Sequence, residues 1–369
     1  MSSRSGPVGV GVIGAGQISK QYLANMRTYP DLDVRFVADL MPERARHMAD
    51  QYGVTGSGST REALDRDDVE IIVNLTIPAA HAEVASASLA AGKHVWNEKP
   101  LTADRPSACS LLTQSRAAGL LVGCAPDTML GPGLQTTKRM IERGDIGQPL
   151  TASVVFQTPG PHRWHHNPHF LYQQGGGPLF DMAPYYLTAL TQFFGPLTGV
   201  AALGCTAGPT RTISYGPRAG EVFDVEVPTH VTAIYDFRAG AVASTTFSFD
   251  SPLIRMGVLE ITGTEATLVA PDPSKFAGDI GIITADKQEW QTITVNGDGI
   301  GRGIGVVEMA RVLRNGGTHR ATAELGLHVL DAMLATAESV ESRAFISIES
   351  LITHIDAATE NWDPTTREV

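Results

Sequence analysis

Short, continuously apolar runs alternate with helical stretches through the first third of the chain. Val8–Ile13, Asp33–Ala38, Val69–Thr76, Lys93–Trp96 and Leu120–Cys124 read as strands. Between them Ile18–Arg27, Pro42–Tyr52, His81–Ala91 and Arg105–Ala118 read as helices, with Pro42 and Glu43 suited to a first helical turn. Strands that lack polar alternation and are separated by helices predict a parallel sheet covered on both faces. Right-handed crossovers then make this an α/β, doubly wound Rossmann sheet.

Beyond about residue 125 the rhythm changes. Pro132–Arg143 reads as a helix closed by Gly144, and Leu150–Thr158, Gly257–Thr262 and Thr267–Ala270 as strands. Val231–Phe237 and Ala241–Phe249, joined by Arg238-Ala239-Gly240, have the pattern of a hairpin. Leu325, Val329, Met333, Ala337 and Val340 recur at helical spacing. The expectation is two domains: a dinucleotide-binding domain at 1–125, and at 126–369 an α+β domain with a large, mostly antiparallel open sheet for substrate binding and oligomerisation. The length of 369 residues suits two cores better than one.

Composition narrows the partners. Lys+Arg 28 against Asp+Glu 39 gives a net charge of −11, with no basic cluster. Nucleic acid and anionic membranes need a positive footprint, so neither is expected as a partner. No run approaches a membrane span, and Met1–Pro7 has no leader's apolar core. Cys109, Cys124 and Cys205 are odd in number and form no Cys-x-x-Cys pair. They read as reduced, packed thiols in a cytoplasmic protein.

The first strand ends on Gly14-Ala15-Gly16-Gln17-Ile18-Ser19. Gly14 permits a tight turn, and Gly16, lacking a Cβ, lets a pyrophosphate approach the backbone and the start of the next helix, where Gln17 and Ile18 lie. Ser19 stands where a third glycine or alanine is usual. Asp39, at the end of the next strand, is placed to accept hydrogen bonds from ribose hydroxyls, and Leu40 and Met41 after it offer no cation for a 2′-phosphate. The pattern therefore favours NAD over NADP, the alternative being a glycine-rich turn with no ligand. A second glycine run (297, 299, 301, 303 and 305) never shows the three-residue gap of the fingerprint and reads as a mobile connecting loop.

Three segments then resemble one family. Val95-Trp96-Asn97-Glu98-Lys99-Pro100-Leu101 is similar to the Glu-Lys-Pro segment of the Gfo/Idh/MocA oxidoreductases, the glucose–fructose oxidoreductase and inositol dehydrogenase group. Pro78-x-x-His81 resembles the family's loop after its third strand, which runs beside the nicotinamide, and Gly175-Gly176-Gly177-Pro178-Leu179-Phe180-Asp181-Met182-Ala183-Pro184-Tyr185 resembles its Gly-Gly-Gly…Asp-x-x-x-His motif. Tyr185 replaces the usual histidine. The resemblance implies cofactor contacts from Thr76, Pro78, His81, Glu98 and Lys99, catalytic roles for Lys99, Asp181 and Tyr185, and a cis Lys99–Pro100 bond that aims Lys99 into a cleft. It also implies a homodimer or homotetramer that covers the open sheet.

Oxidising a secondary alcohol requires a hydride acceptor and a proton acceptor. A tyrosine serves as the base once a neighbouring ammonium stabilises its phenolate, which makes Lys99 the candidate helper. Asp181 precedes Tyr185 by four residues and shares its face if the segment is helical. A structural Lys99–Asp181 ion pair, with Tyr185 as packing, is the alternative.

His162-Arg163-Trp164-His165-His166-Asn167-Pro168-His169-Phe170 supplies donors and a Trp platform suited to a sugar or cyclitol ring, with Arg163, Trp164 and His165 joining Lys99, Asp181 and Tyr185 as substrate contacts. A plain surface loop is the other reading. His165 and His169 are four apart, but Pro168 and the lack of a nearby carboxylate argue against a metal, and none is expected. The resulting expectation is an NAD-dependent oxidoreductase working between a secondary alcohol and a ketone of a sugar, polyol or related cyclic compound. Its rivals are a masked-redox, NAD-dependent glycoside-processing enzyme and a catalytically silent dinucleotide-sensing regulator.

Overall fold

The computed structural model describes residues 5–369, so Met1–Arg4 of the amino-terminal reading lie outside it. Its first six strands are β1 (Val8–Ile13), β2 (Leu32–Ala38), β3 (Gly56–Gly58), β4 (Ile71–Asn74), β5 (His94–Asn97) and β6 (Val122–Cys124). They form one all-parallel sheet in the order β3-β2-β1-β4-β5-β6. β1 and β4 are buried at every position, as strands covered on both faces must be. The helices α1 (Ser19–Met26), α2 (Pro42–Tyr52), α3 (Thr60–Leu64), α4 (His81–Ala90) and α5 (Arg105–Ala118) supply the connections. The strand order reverses between β1 and β4, which makes the carboxyl ends of those two strands the place for a ligand crevice.

This sheet belongs to a compact unit made, among the described residues, of 5–131, 297–330 and 355–369, while residues 132–296 and 331–354 make a second unit. The division differs from the continuous 1–125 and 126–369 expected, because two late segments rejoin the first unit. Gly297–Gly305 is part of that return. Rather than a mobile connection it is a packed one: a Cβ on Gly305 would lie 2.1 Å from the buried Trp96 ring, and one on Gly303, at φ +105°, 2.6 Å from Met26. The chain then enters α8 (Ile304–Asn315) and α9 (Ala323–Ser342), the second of which spans the division between the units.

The second unit holds α6 (Pro132–Arg143), α7 (Gly177–Phe194) and a nine-stranded sheet. The strands of the unit are β7 (Pro149–Gln157), β8 (Leu197–Cys205), β9 (Thr210–Thr212), β10 (Val222–Asp224), β11 (His230–Phe237), β12 (Val242–Ser248), β13 (Arg255–Gly263), β14 (Ala266–Val269), β15 (Ile280–Thr284), β16 (Gln291–Ile293) and β17 (Ile346–Ser347). The large sheet runs β16-β15-β14-β13-β7-β12-β11-β8-β17, antiparallel throughout except for the β7–β12 pair, and β9 with β10 forms a separate hairpin. β11 alternates strictly, with Val231, Ala233, Tyr235 and Phe237 buried and Thr232, Ile234 and Asp236 exposed. The buried face packs under helices, where the Tyr235 hydroxyl lies 2.7 Å from Thr336 Oγ1 on α9. The opposite face leaves Leu203, Ile234 and Val242 exposed.

Among the described residues no helix is long and apolar enough to cross a membrane. The three cysteines are free, but only Cys124 is buried; Cys109 and Cys205 are exposed, against the expectation that all three are packed.

Candidate active site

In the first unit the glycine turn sits at the reversal of strand order. Gly14, at φ +106°, lies so close to the chain leaving β4 that a Cβ would stand 2.6 Å from the Leu75 carbonyl, whereas nothing stands within 4 Å of a Cβ on Gly16. One glycine is thus required by backbone approach, and the other faces open space of the kind a pyrophosphate needs. Gly16 and Gln17 are exposed and Ile18 is half-buried. No side chain caps α1, whose first backbone bond is Gln21 N–H to the Ile18 carbonyl at 3.1 Å, so the N–H groups ahead of it suit an anion. Ser19 fits the third position because its hydroxyl turns inward and donates to the Gly16 carbonyl at 2.7 Å.

Asp39 joins the two strand ends. Its Oδ2 accepts the Ala15 N–H at 2.7 Å and its Oδ1 accepts the Met41 N–H at 2.9 Å. Each oxygen has a second lone pair, so the carboxylate can shape the turn and accept ribose hydroxyls as well. Leu40 beside it is 97% exposed. These residues fit a dinucleotide without a 2′-phosphate.

Two buried carboxamides organise the ends of β4 and β5. Asn74 donates to Asn97 Oδ1 at 2.8 Å and to the His81 carbonyl at 3.1 Å, and it accepts the Thr76 hydroxyl at 2.7 Å. Asn97 donates to the Leu101 carbonyl at 3.0 Å. Thr76 is half-buried and Pro78 exposed, on the loop expected beside the cofactor. His81 is different. It is only 1% exposed, and its Nδ1 and Nε2 face the Pro100 carbonyl at 2.6 Å and the Thr76 carbonyl at 3.2 Å. Its ring is buried between the two loops, each nitrogen against a backbone carbonyl and one of them donating. Burial, foremost, holds its pKa below the usual histidine range.

The Lys99–Pro100 bond is cis, as the resemblance implied. Glu98 is buried and fixes the start of that turn: Oε2 accepts the Lys99 N–H at 2.8 Å, and Oε1 accepts the Tyr22 hydroxyl at 3.0 Å. Trp96 Nε1–H in turn donates to the Tyr22 oxygen at 3.2 Å. Lys99 itself is half-buried. Sequence reasoning missed Arg302, whose guanidinium stands 3.6 Å from Glu98, and Asp127, which is fully buried. Asp127 Oδ2 accepts the N–H groups of Gly303 at 2.7 Å and Gly305 at 3.4 Å. Burial pushes its pKa up to about 6, Arg302 opposing. The only sequence signal for this cluster is an arginine set inside the glycine run.

In the second unit Asp181 and Tyr185 both fall on α7, four residues apart, so they share a face. Tyr185 is 7% exposed and Asp181 half-buried. Pro184 inside the helix withholds the N–H that would bond the Phe180 carbonyl.

The histidine-rich loop before α7 is built on aromatic contacts. His165 stacks on His166 at 4.9 Å and meets Trp164 and Phe170 edge-on, each at 5.6 Å. Trp164 is 62% exposed and Arg163 is exposed, while His165 is half-buried. The β9–β10 hairpin, absent from the sequence expectations, clamps the loop through Arg218 to Asn167 Oδ1 at 2.6 Å and Ser214 N–H to the His162 carbonyl at 2.9 Å. His162 Nδ1 lies 2.7 Å from the Tyr172 hydroxyl. Burial, then the Arg211 charge, lowers the His162 pKa to about 4. His165 Nδ1 accepts the Asn167 N–H at 3.0 Å. Among the described residues no group of three His, Cys, Asp or Glu is placed to hold a metal.

Comparison with known proteins covers both units. Residues 8–124 match the model of an oxidoreductase family with an NAD-binding Rossmann fold, and residues 134–269 match the GFO/IDH/MocA C-terminal domain. A dTDP-3,4-didehydro-2,6-dideoxy-α-D-glucose 3-reductase of Actinomadura kijaniata is 31% identical over 52% of this chain and 58% of its own length. The chain spans little more than half the length of several curated relatives it matches. A levoglucosan dehydrogenase of Pseudarthrobacter phenanthrenivorans is 27% identical over 70% of this chain and 72% of that one. A solved levoglucosan dehydrogenase in complex with NADH and L-sorbose has the same fold, with a TM-score of 0.82 at 23% identity over 94% of this chain and all of that one.

Proposed function

We propose that this chain, which belongs to the GFO/IDH/MocA oxidoreductase family, is an NAD-dependent dehydrogenase or reductase working between a secondary alcohol and a ketone of a sugar, polyol or related cyclic compound. The observation that carries the reading lies within one sheet. An open glycine turn ends β1 at the switch point, and Glu98 anchors the cis Lys99–Pro100 turn at the end of β5. Gly14, Gly16, Gln17, Ile18, Asp39, Thr76 and Pro78 would hold the nicotinamide cofactor, with Glu98 and Lys99 at its reactive end and His81 acting through the loops it joins. When bound, NAD supplies the hydride acceptor that no side chain can replace.

The remaining chemistry is the protein's own. Lys99 donates a hydrogen bond to the reacting oxygen, and its ammonium favours the charge that develops there. Tyr185 takes the alcohol proton in oxidation and returns it in reduction, and Asp181, on the same helical face, orients the substrate hydroxyls. Trp164, with Arg163 and His165, offers an aromatic face and polar donors to a ring carrying hydroxyls. The names of relatives that act on a deoxysugar nucleotide, inositol or levoglucosan support this substrate class. A second copy of the chain covering the exposed face of the large sheet completes the proposal, since Leu203, Ile234 and Val242 are large apolar side chains exposed on it.

The test is NAD reduction followed by absorbance with a panel of aldoses, cyclitols and anhydrosugars. Reduction with one class identifies the substrate. No reduction across the panel, with NADH still bound, contradicts the dehydrogenase.

A further inference from the structure

We propose that Arg302 is a positioning residue that holds the Glu98 carboxylate and, through it, the Lys99–Pro100 turn. The inference rests on the role for Lys99 proposed above and extends it to a side chain about two hundred residues downstream.

The backbone around Arg302 is fixed at every second residue. Tyr29 donates its hydroxyl proton to the Gly301 carbonyl at 3.0 Å and accepts the Gly301 N–H at 2.8 Å. Gly303 donates to Asp127 and lies against Met26, and Gly305 lies against the Trp96 ring. Side chains at those three glycines would collide with Asn25, Met26 and Trp96, so the spacing that fails as a phosphate fingerprint succeeds as a way to lay a backbone against α1 and the Trp96 ring of β5. The residue between the first two is thereby delivered beneath the end of β5. Its side chain is 11% exposed, with Nε donating to Gln21 at 3.3 Å and Nη1 placed 3.6 Å from Glu98 Oε1.

Two carboxylates, Glu98 and Asp127, share this one guanidinium in a buried place. Tyr22 from α1, Tyr29 after it, His81 from α4 and Cys124 from β6 sense the charges of the cluster, and Lys99 in turn acts on His81. Arg302 is the charge that opposes burial at Asp127, so without it Asp127 takes its proton at higher pH, and Glu98 loses the guanidinium beside it. A displaced Glu98 loses the arrangement in which one oxygen receives the Lys99 N–H and the other the Tyr22 hydroxyl.

The experiment compares Arg302→Met, Arg302→Lys and Lys99→Met with the full-length wild type. It reads kcat and KM across pH, NADH affinity by fluorescence, and the unfolding midpoint of the cofactor-free protein across pH. Arg302→Met is expected to lower kcat about tenfold while NADH affinity stays within about threefold, and to move the acid limb of kcat up by about one pH unit. The pH-dependent step in its unfolding midpoint should move up with it, and Arg302→Lys should recover most of both effects. A merely structural arginine would lower the unfolding midpoint equally at all pH values and leave the limb unmoved, which overturns the inference. So does an Arg302→Met enzyme with wild-type kcat while Lys99→Met is dead. A wild type that folds and responds to pH but never turns over overturns the functional reading and this inference with it.

Discussion

Asp127→Asn isolates the electrostatic cost of the buried cluster. Asp127 is fully buried, and its carboxyl titrates near 6 instead of the ordinary 3.8 because burial disfavours the charged form. A rise of roughly two units corresponds to about 3 kcal/mol between pH values well below and well above that window. The sign follows from proton counting. Between about pH 4 and pH 6 the folded protein holds this proton more tightly than the unfolded chain does, so stability falls as pH rises through the window and levels off above it. Asparagine retains an oxygen to accept the Gly303 and Gly305 N–H groups but cannot ionise. Denaturant unfolding of wild type and variant should therefore diverge with pH. The variant gains up to about 3 kcal/mol on the wild type between about pH 4 and pH 7, and Arg302, released from Asp127, limits that gain. A difference that stays flat across this range would refute the argument that the carboxylate is ionised at neutral pH against the cost of burial.

Gly305→Ala replaces a helix glycine and would ordinarily gain about 1 kcal/mol. The Trp96 ring 2.1 Å from the new methyl should turn that into a net loss of about 1–3 kcal/mol, read as a lower thermal midpoint. Asp39→Ala should weaken NAD about tenfold or more, by the loss of a charged hydrogen-bond acceptor, and narrow the NAD/NADP ratio in a binding titration; an unchanged ratio moves ribose recognition to another residue. Trp164→Ala should change stability by less than about 0.5 kcal/mol, because the ring is 62% exposed, while raising KM for the sugar and sparing NADH affinity.

The parallel sheet was legible because its strands are short apolar blocks separated by amphipathic helices, and the glycine turn because its place after β1 is set by local geometry. β3 escaped notice because Gly56-Ser57-Gly58 carries no hydrophobic signal and pairs only through backbone. β9 and β10 are three residues each and mostly exposed, so their pairing leaves little mark on composition. The return of residues 297–330 and 355–369 to the first unit depends on long-range packing that no periodicity encodes. Glu98, Lys99 and the Asp181–Tyr185 spacing were visible as motifs. Arg302 and Asp127 were not, since their partners lie far away in sequence, and His81 took a motif position while its ring lies buried between two backbone carbonyls.

The central claim is that the Lys99 turn acts on the reacting oxygen and not in holding the cofactor. Pairing an NADH titration with steady-state turnover in Lys99→Met tests it most directly. NADH affinity is expected within about threefold of wild type and kcat lower by about two orders of magnitude or more. Turnover that survives the substitution, with the cofactor bound as before, would contradict it.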